Sequence, residues 1–191
     1  MSGKILIALN SYIAGGGKDT VADYLVENHG FKKYSLSKGV YEIAYDTFDV
    51  PRDTKPPRPM LHHIGESLRD YDVILWIKKV LKEIEDDGHD RVVITDVRKG
   101  LEHFYLKESG YLNLLVYCDI EIALERIRKR DSVHLDEDAI NLLQNSRLES
   151  EVRSLPMDKV DNSGDFEKVA KRLDTLVKIY QNKLNKSIET E

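Results

Sequence analysis

The chain has 191 residues, 41% hydrophobic and 33% charged, which is typical of an ordinary globular protein with room for one substantial core. Its net charge of -5 argues against a general nucleic-acid binder, which would carry a basic excess. Its single cysteine, Cys118, rules out an intramolecular disulfide and a cysteine-rich zinc site. Because no apolar run has the length of a membrane span and no signal-peptide core precedes the first strand, we expect a cytoplasmic protein that does not bind membranes.

The beginning of the chain carries the strongest functional pattern. Residues 5–9 are an apolar run typical of a buried strand, three glycines and a lysine follow, and helical spacing begins after Thr20. Strand, glycine loop, lysine and helix form the pattern of a phosphate-binding loop. Glycines let backbone N–H groups converge on an anion, the helix adds the positive end of its dipole, and the lysine adds a mobile cation. The predicted ATP-binding residues of this loop are Ala14, Gly15, Gly16, Gly17, Lys18, Asp19 and Thr20.

This loop departs from the usual pattern G-x-x-x-x-G-K-[ST]. Tyr12 stands at the first glycine position, and Asp19 follows Lys18 where Ser or Thr is usual. In the usual loop that hydroxyl contacts Mg²⁺, and a carboxylate is also a hard oxygen donor that suits this ion. The sequence leaves open whether Asp19 or Thr20 contacts the metal. The alternative interpretation is a glycine-rich turn with a solvated Lys18.

Predicted strands and helices alternate along the rest of the chain. Gly30 ends the first helix, and further strands are predicted near residues 31–36, 91–98, 112–118 and 160–161. Helices are predicted near residues 39–48, 60–69, 71–85, 101–109, 121–130, 136–148 and 165–185. Strands separated by helices predict an α/β fold with a parallel sheet covered on both faces. Ligands of such sheets bind at the carboxyl ends of the strands, which places the glycine loop, Asp96 and Arg98 on one edge.

Several charged residues after the loop are candidates for phosphate chemistry. Asp96 ends an apolar strand, where a carboxylate can hold Mg²⁺ or its water shell, or instead cap the next helix. Arg98 has a forked guanidinium that suits phosphate, although a surface ion pair is the alternative. Arg126 and Arg130 share one face of a helix that ends in basic residues, where they stabilise either a transferring phosphoryl group or only the helix dipole.

The order of these motifs resembles the P-loop nucleoside monophosphate kinases, and most of all the phage-type deoxynucleoside monophosphate kinases. The likeness lies in residues 17–25 (Gly-Lys-Asp-Thr-Val-Ala-Asp-Tyr-Leu), 61–69 with the following Asp72 and Trp76, 94–98 (Ile-Thr-Asp-Val-Arg) and 160–164 (Val-Asp-Asn-Ser-Gly). Dephospho-coenzyme A kinases and an animal-type phosphomevalonate kinase share this layout, so the acceptor stays open. Family members commonly carry an acidic residue and a proline after the second strand, where this chain has residues 35–40 (Ser-Leu-Ser-Lys-Gly-Val).

The resemblance implies a three-layer αβα P-loop kinase fold in one domain, residues 1–181. An acceptor-binding segment would span about residues 37–88 and a short lid about residues 126–150, with a polar tail at residues 182–191. It implies catalytic roles for Lys18, Arg98, Arg126 and Arg130, and an ATP contact near the adenine for Asn162. The acceptor-binding residues would be Arg58, Arg69 and Arg98, and the Mg²⁺ ligands would be Asp19, Thr20 and Asp96.

We therefore expect phosphoryl transfer from Mg-ATP to a small phosphorylated acceptor, with a (deoxy)nucleoside monophosphate as the leading acceptor. An acceptor phosphate is already a good nucleophile, so positioning and charge stabilisation would supply most of the rate. One alternative is a kinase of a non-nucleotide acceptor such as dephospho-coenzyme A. Another is a nucleotide-binding protein without kinase activity, which the absent first glycine and the replaced Ser/Thr favour. The expected partners are ATP and the acceptor, and a homodimer is left open.

Overall fold

The computed structural model describes residues 4–11, 13–131 and 152–188. Within these residues the strands are β1 (Ile5–Asn10), β2 (Lys32–Ser35), β3 (Arg91–Val97), β4 (Leu112–Tyr117) and β5 (Asp158–Asp161). The helices are α1 (Lys18–His29), α2 (Lys38–Thr47), α3 (Arg58–Tyr71), α4 (Leu75–Asp87), α5 (Gly100–Glu108), α6 (Ile120–Asp131) and α7 (Phe166–Ile188). The predicted helix at residues 136–148, and the predicted lid beyond residue 131, lie outside the described residues.

The five strands form one sheet in the order β2-β3-β1-β4-β5. β1 lies at the centre and pairs in parallel with β3 on one side and β4 on the other, and β4 pairs in parallel with β5. A central strand is shielded on both faces, which is why residues 5–9 are almost uniformly apolar. The predicted α/β fold with a central parallel sheet is confirmed.

Helices cover both faces of this sheet because alternate side chains of a strand point to opposite faces. Ile5, Ile7 and Leu9 belong to a core cluster that also contains buried residues of α1 and α7. Ala8 and Asn10 take the other face, where α5 contacts β1 and β4. The result is the three-layer αβα arrangement. In the described part of the chain, no helix combines the length and apolar character that a membrane span requires.

The chain divides into two compact units, residues 1–33 with 90–191, and residues 34–89. The second unit contains α2, α3 and α4 around Trp76, whose indole N–H donates to Gly65 O at 3.2 Å. The ring also lies against Gly39, where an added Cβ would come within 2.7 Å of it. The ion pair between Lys79 and Glu42, with 2.7 Å between Nζ and Oε2, links α4 to α2. The domain boundaries inferred from the sequence remain a prediction.

The start of α4 differs from the sequence prediction, since the helix begins at Leu75 and not at Tyr71. Asp72 ends α3 in an extended conformation, and its Oδ1 accepts the N–H of Ile74 at 3.1 Å. This local side-chain bond competes with continued helix, so the chain turns between the two helices. Val73 lies exposed in that turn and is not part of the buried apolar face of α4, which consists of Trp76, Ile77, Val80 and Ile84.

A row of buried polar groups lies between β1, β4 and α5. Asn10 Nδ2 donates to Asn113 Oδ1 at 3.0 Å, and Asn113 Nδ2 donates to the backbone O of His103 at 3.3 Å. The imidazole of His103 is fully buried, and neither ring nitrogen has a hydrogen-bond partner among the described residues. Burial, with a smaller contribution from Lys107, lowers the pKa of His103 below 6.5. The side chain is therefore neutral in the folded protein.

Burial of neutral His103 predicts a loss of stability at mildly acidic pH. In the unfolded chain His103 binds a proton near its ordinary pKa of 6.5, whereas in the folded chain it does so only at lower pH. The free energy of unfolding therefore falls as the pH drops below 6.5. We expect His103→Leu to weaken this dependence, so that the variant loses less stability than the wild type between pH 7.5 and pH 5.5. Urea unfolding at the two pH values measures it.

The exposed residue His63, replaced as His63→Leu, is the matched control and should keep the wild-type pH dependence. Identical pH dependence in wild type and His103→Leu would contradict the assignment of this histidine as a neutral buried group.

Candidate functional site

The glycine loop joins the carboxyl end of β1 to the first turn of α1. β1 is flanked by β3 and β4, so the loop lies where the chain order of the strands reverses, the usual ligand position in an open α/β sheet. Gly17 is the N-cap of α1, and among the residues that the structure describes no side chain caps that end of the helix. The amino terminus of α1, with the positive end of its dipole, is thus available to an anion.

The carbonyl groups of the loop are bound from behind. Gly16 O accepts Nδ2 of Asn162 at 3.1 Å, and Gly15 O accepts Nη1 of Arg126 at 3.5 Å and the Cys118 thiol at 3.9 Å. In a trans peptide the C=O and the following N–H point in opposite directions. The N–H of Gly17 therefore points away from Asn162, as an anion-binding loop requires.

The loop also has no room for side chains at two of its glycines. Gly15 has φ +84°, and an added Cβ would lie 2.5 Å from the backbone O of Ala123. Gly17 has φ +87°, and a Cβ there would overlap the side-chain amide of Asn162. Both backbone conformations are strained for any other residue, so glycine is needed for geometry as well as for space.

Lys18 lies between two carboxylates at this edge of the sheet. Its Nζ is 2.7 Å from Asp19 Oδ2 and 3.1 Å from Asp96 Oδ1. Only 18% of the Lys18 side chain and 11% of the Asp96 side chain are exposed, so this charge pair is screened less than a surface ion pair. The ammonium is held between these two carboxylates and is mostly shielded from solvent.

A bulge in β3 directs Asp96 toward the loop. Ala8 pairs with Ile94 and Asn10 with Val97, so two β3 residues oppose a single β1 residue between these pairs. Asp96 is the bulged residue with φ +67°, a left-handed conformation that Asp adopts more readily than most residues, at a cost on the order of 1 kcal/mol. The sequence predicted a strand-end carboxylate but carried no signal for the bulge.

Arg98 lies beside Asp96, with 3.4 Å between its Nη2 and Asp96 Oδ1, and its side chain is mostly exposed. The buried carboxylate of Glu102 accepts the backbone N–H groups of Arg98 and Lys99 at 2.9 and 3.1 Å. Glu102, in the first turn of α5, therefore binds the backbone at the amino end of this helix, where the sequence allowed a cap by Asp96. Lys18, Asp19, Asp96 and Arg98 thus lie together.

Asp19 is contacted by a second ammonium group that sequence reasoning missed. Lys33 Nζ is 3.3 Å from Asp19 Oδ1 and 3.0 Å from Asp23 Oδ1. Burial by itself would raise the pKa of Asp19, but Lys18 and then Lys33 lower it on balance. Burial likewise acts to lower the pKa of Lys33, and its contacts with Asp23 and Asp19 raise it on balance. Nothing in the spacing of Lys33 from the loop indicated this contact.

The remaining predicted loop and lid residues occupy different positions. Asn162 is 3% exposed behind the loop, and Arg126 donates Nη2 to its backbone O at 2.9 Å. Arg130 is exposed near the end of α6, Thr20 is exposed in the first turn of α1, and Ala14 is partly exposed. Their roles in binding and catalysis stay predictions.

The predicted acceptor residues of the second unit lie on α3. Arg58 is its exposed first residue, and Arg69 forms an ion pair with Glu66 one turn earlier, with 2.8 Å between Nη1 and Oε1. The acceptor-binding role of both arginines also stays a prediction.

The side chains at the loop fit a magnesium ion held together with phosphates. Within residues 4–11, 13–131 and 152–188 there is no group of three or more His, Cys, Asp or Glu side chains arranged for a metal. Mg²⁺, however, usually takes one or two carboxylates and completes its shell with phosphate oxygens and water. Asp19 and Asp96, which approach the same ammonium group, supply two such hard donors.

The geometry of Gly15 predicts that Gly15→Ala weakens anion binding by the loop. The new methyl group meets the fixed backbone of Ala123, so the loop must shift, and we expect affinity for ATP to fall at least roughly tenfold. Gly30→Ala is the matched control, because Gly30 also has a positive φ of +67° but no atom of the described residues lies within 4 Å of an added Cβ. Calorimetric titration with ATP measures the difference, and equal affinities of the two variants would refute this reading of the loop.

A family model described as an AAA domain matches residues 13–149. Among solved structures, TT1252 from Thermus thermophilus superposes with a TM-score of 0.61 at 18% identity, covering 92% of this chain and 97% of that chain. Shikimate kinase from Acinetobacter baumannii, in complex with shikimate, gives a TM-score of 0.58 at 18% identity, with coverages of 91% and 93%. A gluconokinase from Sinorhizobium meliloti 1021 gives 0.54 at 16%, with coverages of 98% and 99%.

No curated protein matches the sequence. The structural matches are too distant in sequence to show more than the fold, which is that of the P-loop kinases. The AAA domain match includes the glycine loop, Lys18 and Asp96 and covers more than half of the chain. The chain therefore belongs to the AAA domain family.

Proposed function

We propose that this protein is an ATP-dependent kinase that transfers a phosphoryl group to a small phosphorylated acceptor, specifically a (deoxy)nucleoside monophosphate. One observation carries the proposal: a glycine loop with its carbonyls bound from behind ends at Lys18, which lies between Asp19 and Asp96. This combination offers amide donors, one ammonium group and two hard oxygen donors at a single point of the sheet edge. Such an arrangement suits a magnesium-bound polyphosphate.

The comparisons support a kinase more than a nucleotide-binding protein without catalytic activity. Shikimate kinase and gluconokinase share the fold over nearly the whole of this chain. Fold alone does not determine chemistry, so the argument rests on the residues of the site. The sequence departs from the usual loop at Tyr12, which replaces the first glycine, and at Asp19, which replaces a neutral hydroxyl with a carboxylate. It retains Gly15, Gly16, Gly17 and Lys18.

Binding of ATP in this site exchanges one set of ionic contacts for another. The amides before α1 and the ammonium of Lys18 would hold the β- and γ-phosphates. Lys18 would then turn from the carboxylates of Asp19 and Asp96 toward phosphate oxygens, which carry higher charge. Asp19, Thr20 and Asp96 would hold Mg²⁺, which supplies charge neutralisation of the phosphates when it is bound.

In the transfer step an oxygen of the acceptor phosphate attacks the γ-phosphorus in line with the leaving group. The bond from the γ-phosphorus to the β–γ bridging oxygen breaks, and ADP leaves with that electron pair. Negative charge spreads over the three equatorial oxygens, where we assign Arg98, Arg126 and Arg130 as stabilising cations. Arg126 already supports the loop through the backbone O of Gly15 and of Asn162, so it is held at the phosphate end of the site.

For the acceptor we assign Arg58, Arg69 and Arg98 as the residues that anchor its phosphate. The motif at residues 61–69, with Asp72 and Trp76 after it, supports this because it resembles nucleoside monophosphate kinases. A second candidate is a kinase of an unphosphorylated small molecule, which the fold of shikimate kinase and gluconokinase favours. Dephospho-coenzyme A remains a further acceptor to test.

Loss of the ammonium group should abolish most activity. We expect Lys18→Met to reduce acceptor-dependent ADP release by roughly 100-fold or more, since phosphoryl transfer depends on fixed positive charge. Lys171→Met is the control, because the Lys171 side chain forms an exposed ion pair with Glu167 on α7. Circular dichroism verifies that both variants are folded. Unchanged turnover of folded Lys18→Met would count decisively against the assignment.

A screen of acceptors distinguishes the candidate functions. The wild-type protein is incubated with Mg-ATP and each nucleoside monophosphate, dephospho-coenzyme A, shikimate or gluconate, and ADP is measured by a coupled assay. We expect release with one or more nucleoside monophosphates, because their phosphates match the predicted arginine anchors. ATP binding without ADP release for any acceptor would instead indicate a nucleotide-binding protein.

A further inference from the structure

The carboxylate of Asp19 creates an electrostatic problem for the proposed site. The residue after the loop lysine is usually a neutral Ser or Thr, whereas here it adds a negative charge beside the position of the phosphates. Like charges at short range oppose binding of a polyphosphate. In the structure Lys18 balances this charge, with 2.7 Å between Nζ and Asp19 Oδ2. Lys18 is also the residue that would turn to the phosphates, so Asp19 loses this partner when nucleotide is bound. Beside the Mg²⁺ that Asp19 would help to hold, a second protein cation at this carboxylate lowers the remaining repulsion of the phosphates.

Lys33 is placed to be that cation. Its Nζ is 3.3 Å from Asp19 Oδ1 and 3.0 Å from Asp23 Oδ1. Lys18 is nearest to the other oxygen of Asp19, Oδ2. Asp19 and Asp23 are four residues apart on α1 and therefore share one face of the helix. Lys33 lies on β2 with its side chain only 31% exposed, so its ammonium is held against that face.

We propose that Lys33 is a positioning residue that balances and orients the Asp19 carboxylate when Lys18 is engaged with phosphate. The inference rests on the proposed function and extends it to a residue outside the glycine loop. Lys33 touches neither nucleotide nor acceptor and acts through Asp19. With Lys33 present, Asp19 can face a metal-bound polyphosphate without an unbalanced charge. Without Lys33, the charge of Asp19 opposes the nucleotide.

A double-mutant cycle tests this coupling, because it separates the effect of Lys33 on Asp19 from its effect on the rest of the fold. Lys33→Met is made in the wild type and in Asp19→Ser, which restores the usual hydroxyl. Affinity for ADP is measured by calorimetry with and without Mg²⁺, alongside kcat and KM for ATP. We expect Lys33→Met to weaken ADP binding roughly tenfold in the wild type and less than about twofold in Asp19→Ser.

Two controls separate positioning from stability. Asp23→Asn removes the other partner of Lys33 and should leave ADP affinity near that of the wild type. Lys33→Arg keeps the charge and should retain most of the affinity that Lys33→Met loses. If Lys33→Met does not fold, the neutral variant Lys33→Gln serves as the test variant in both backgrounds. Urea unfolding verifies that each variant is folded.

Equal losses of affinity in the wild type and in Asp19→Ser would overturn the inference, and so would unchanged affinity in folded Lys33→Met. Failure of the proposed function has a different signature, since the wild-type protein would then release no ADP with any acceptor of the screen, whatever its affinity for ADP.

Discussion

The contact between Lys18 and Asp96 is the interaction on which the rest of the site depends. It joins the first residue of α1 to the end of β3, with 3.1 Å between Nζ and Oδ1. The bulge in β3 is what allows it, because a regular strand would carry no residue in a left-handed conformation at this point. The strain at Asp96 is offset by a charge contact that is mostly shielded from water. The two carboxylates hold the ammonium group of Lys18 at the loop, and in the proposed function it would exchange them for phosphate oxygens.

Much of the fold follows from patterns that are local in the sequence. Short apolar runs, each followed by a helical period, predicted a parallel sheet with helices on both faces, and the positions of most elements agree within a few residues. The glycine loop was predictable for the same reason, since its function depends on consecutive backbone groups. The predicted start of α4 was wrong because the side chain of Asp72 binds the backbone N–H of Ile74. Helical periodicity contains no information about such a bond.

The parts of the site that could not be predicted depend on contacts distant in sequence. The predicted ATP contact of Asn162 and the predicted catalytic role of Arg126 stay predictions, but no pattern in the sequence indicated that both side chains bind carbonyl groups of the loop. Lys33 lies on β2 and Asp19 on α1, and only the folded chain brings their charged groups within 3.3 Å of each other. His103 lies on a helix whose apolar pattern says nothing about partners for its ring. Side-chain pairing of this kind arises from packing, and no spacing rule in one sequence encodes it.

The position of the only cysteine has a practical consequence. The thiol of Cys118 is buried beneath the loop, it contacts the Gly15 carbonyl, and burial raises its pKa. Because the thiolate is the reactive form, alkylating reagents should label the native protein slowly. Since the thiol must become accessible before it reacts, the rate at which each molecule gains one covalent label reports local unfolding beneath the loop. Mass spectrometry can measure this rate without any engineered probe.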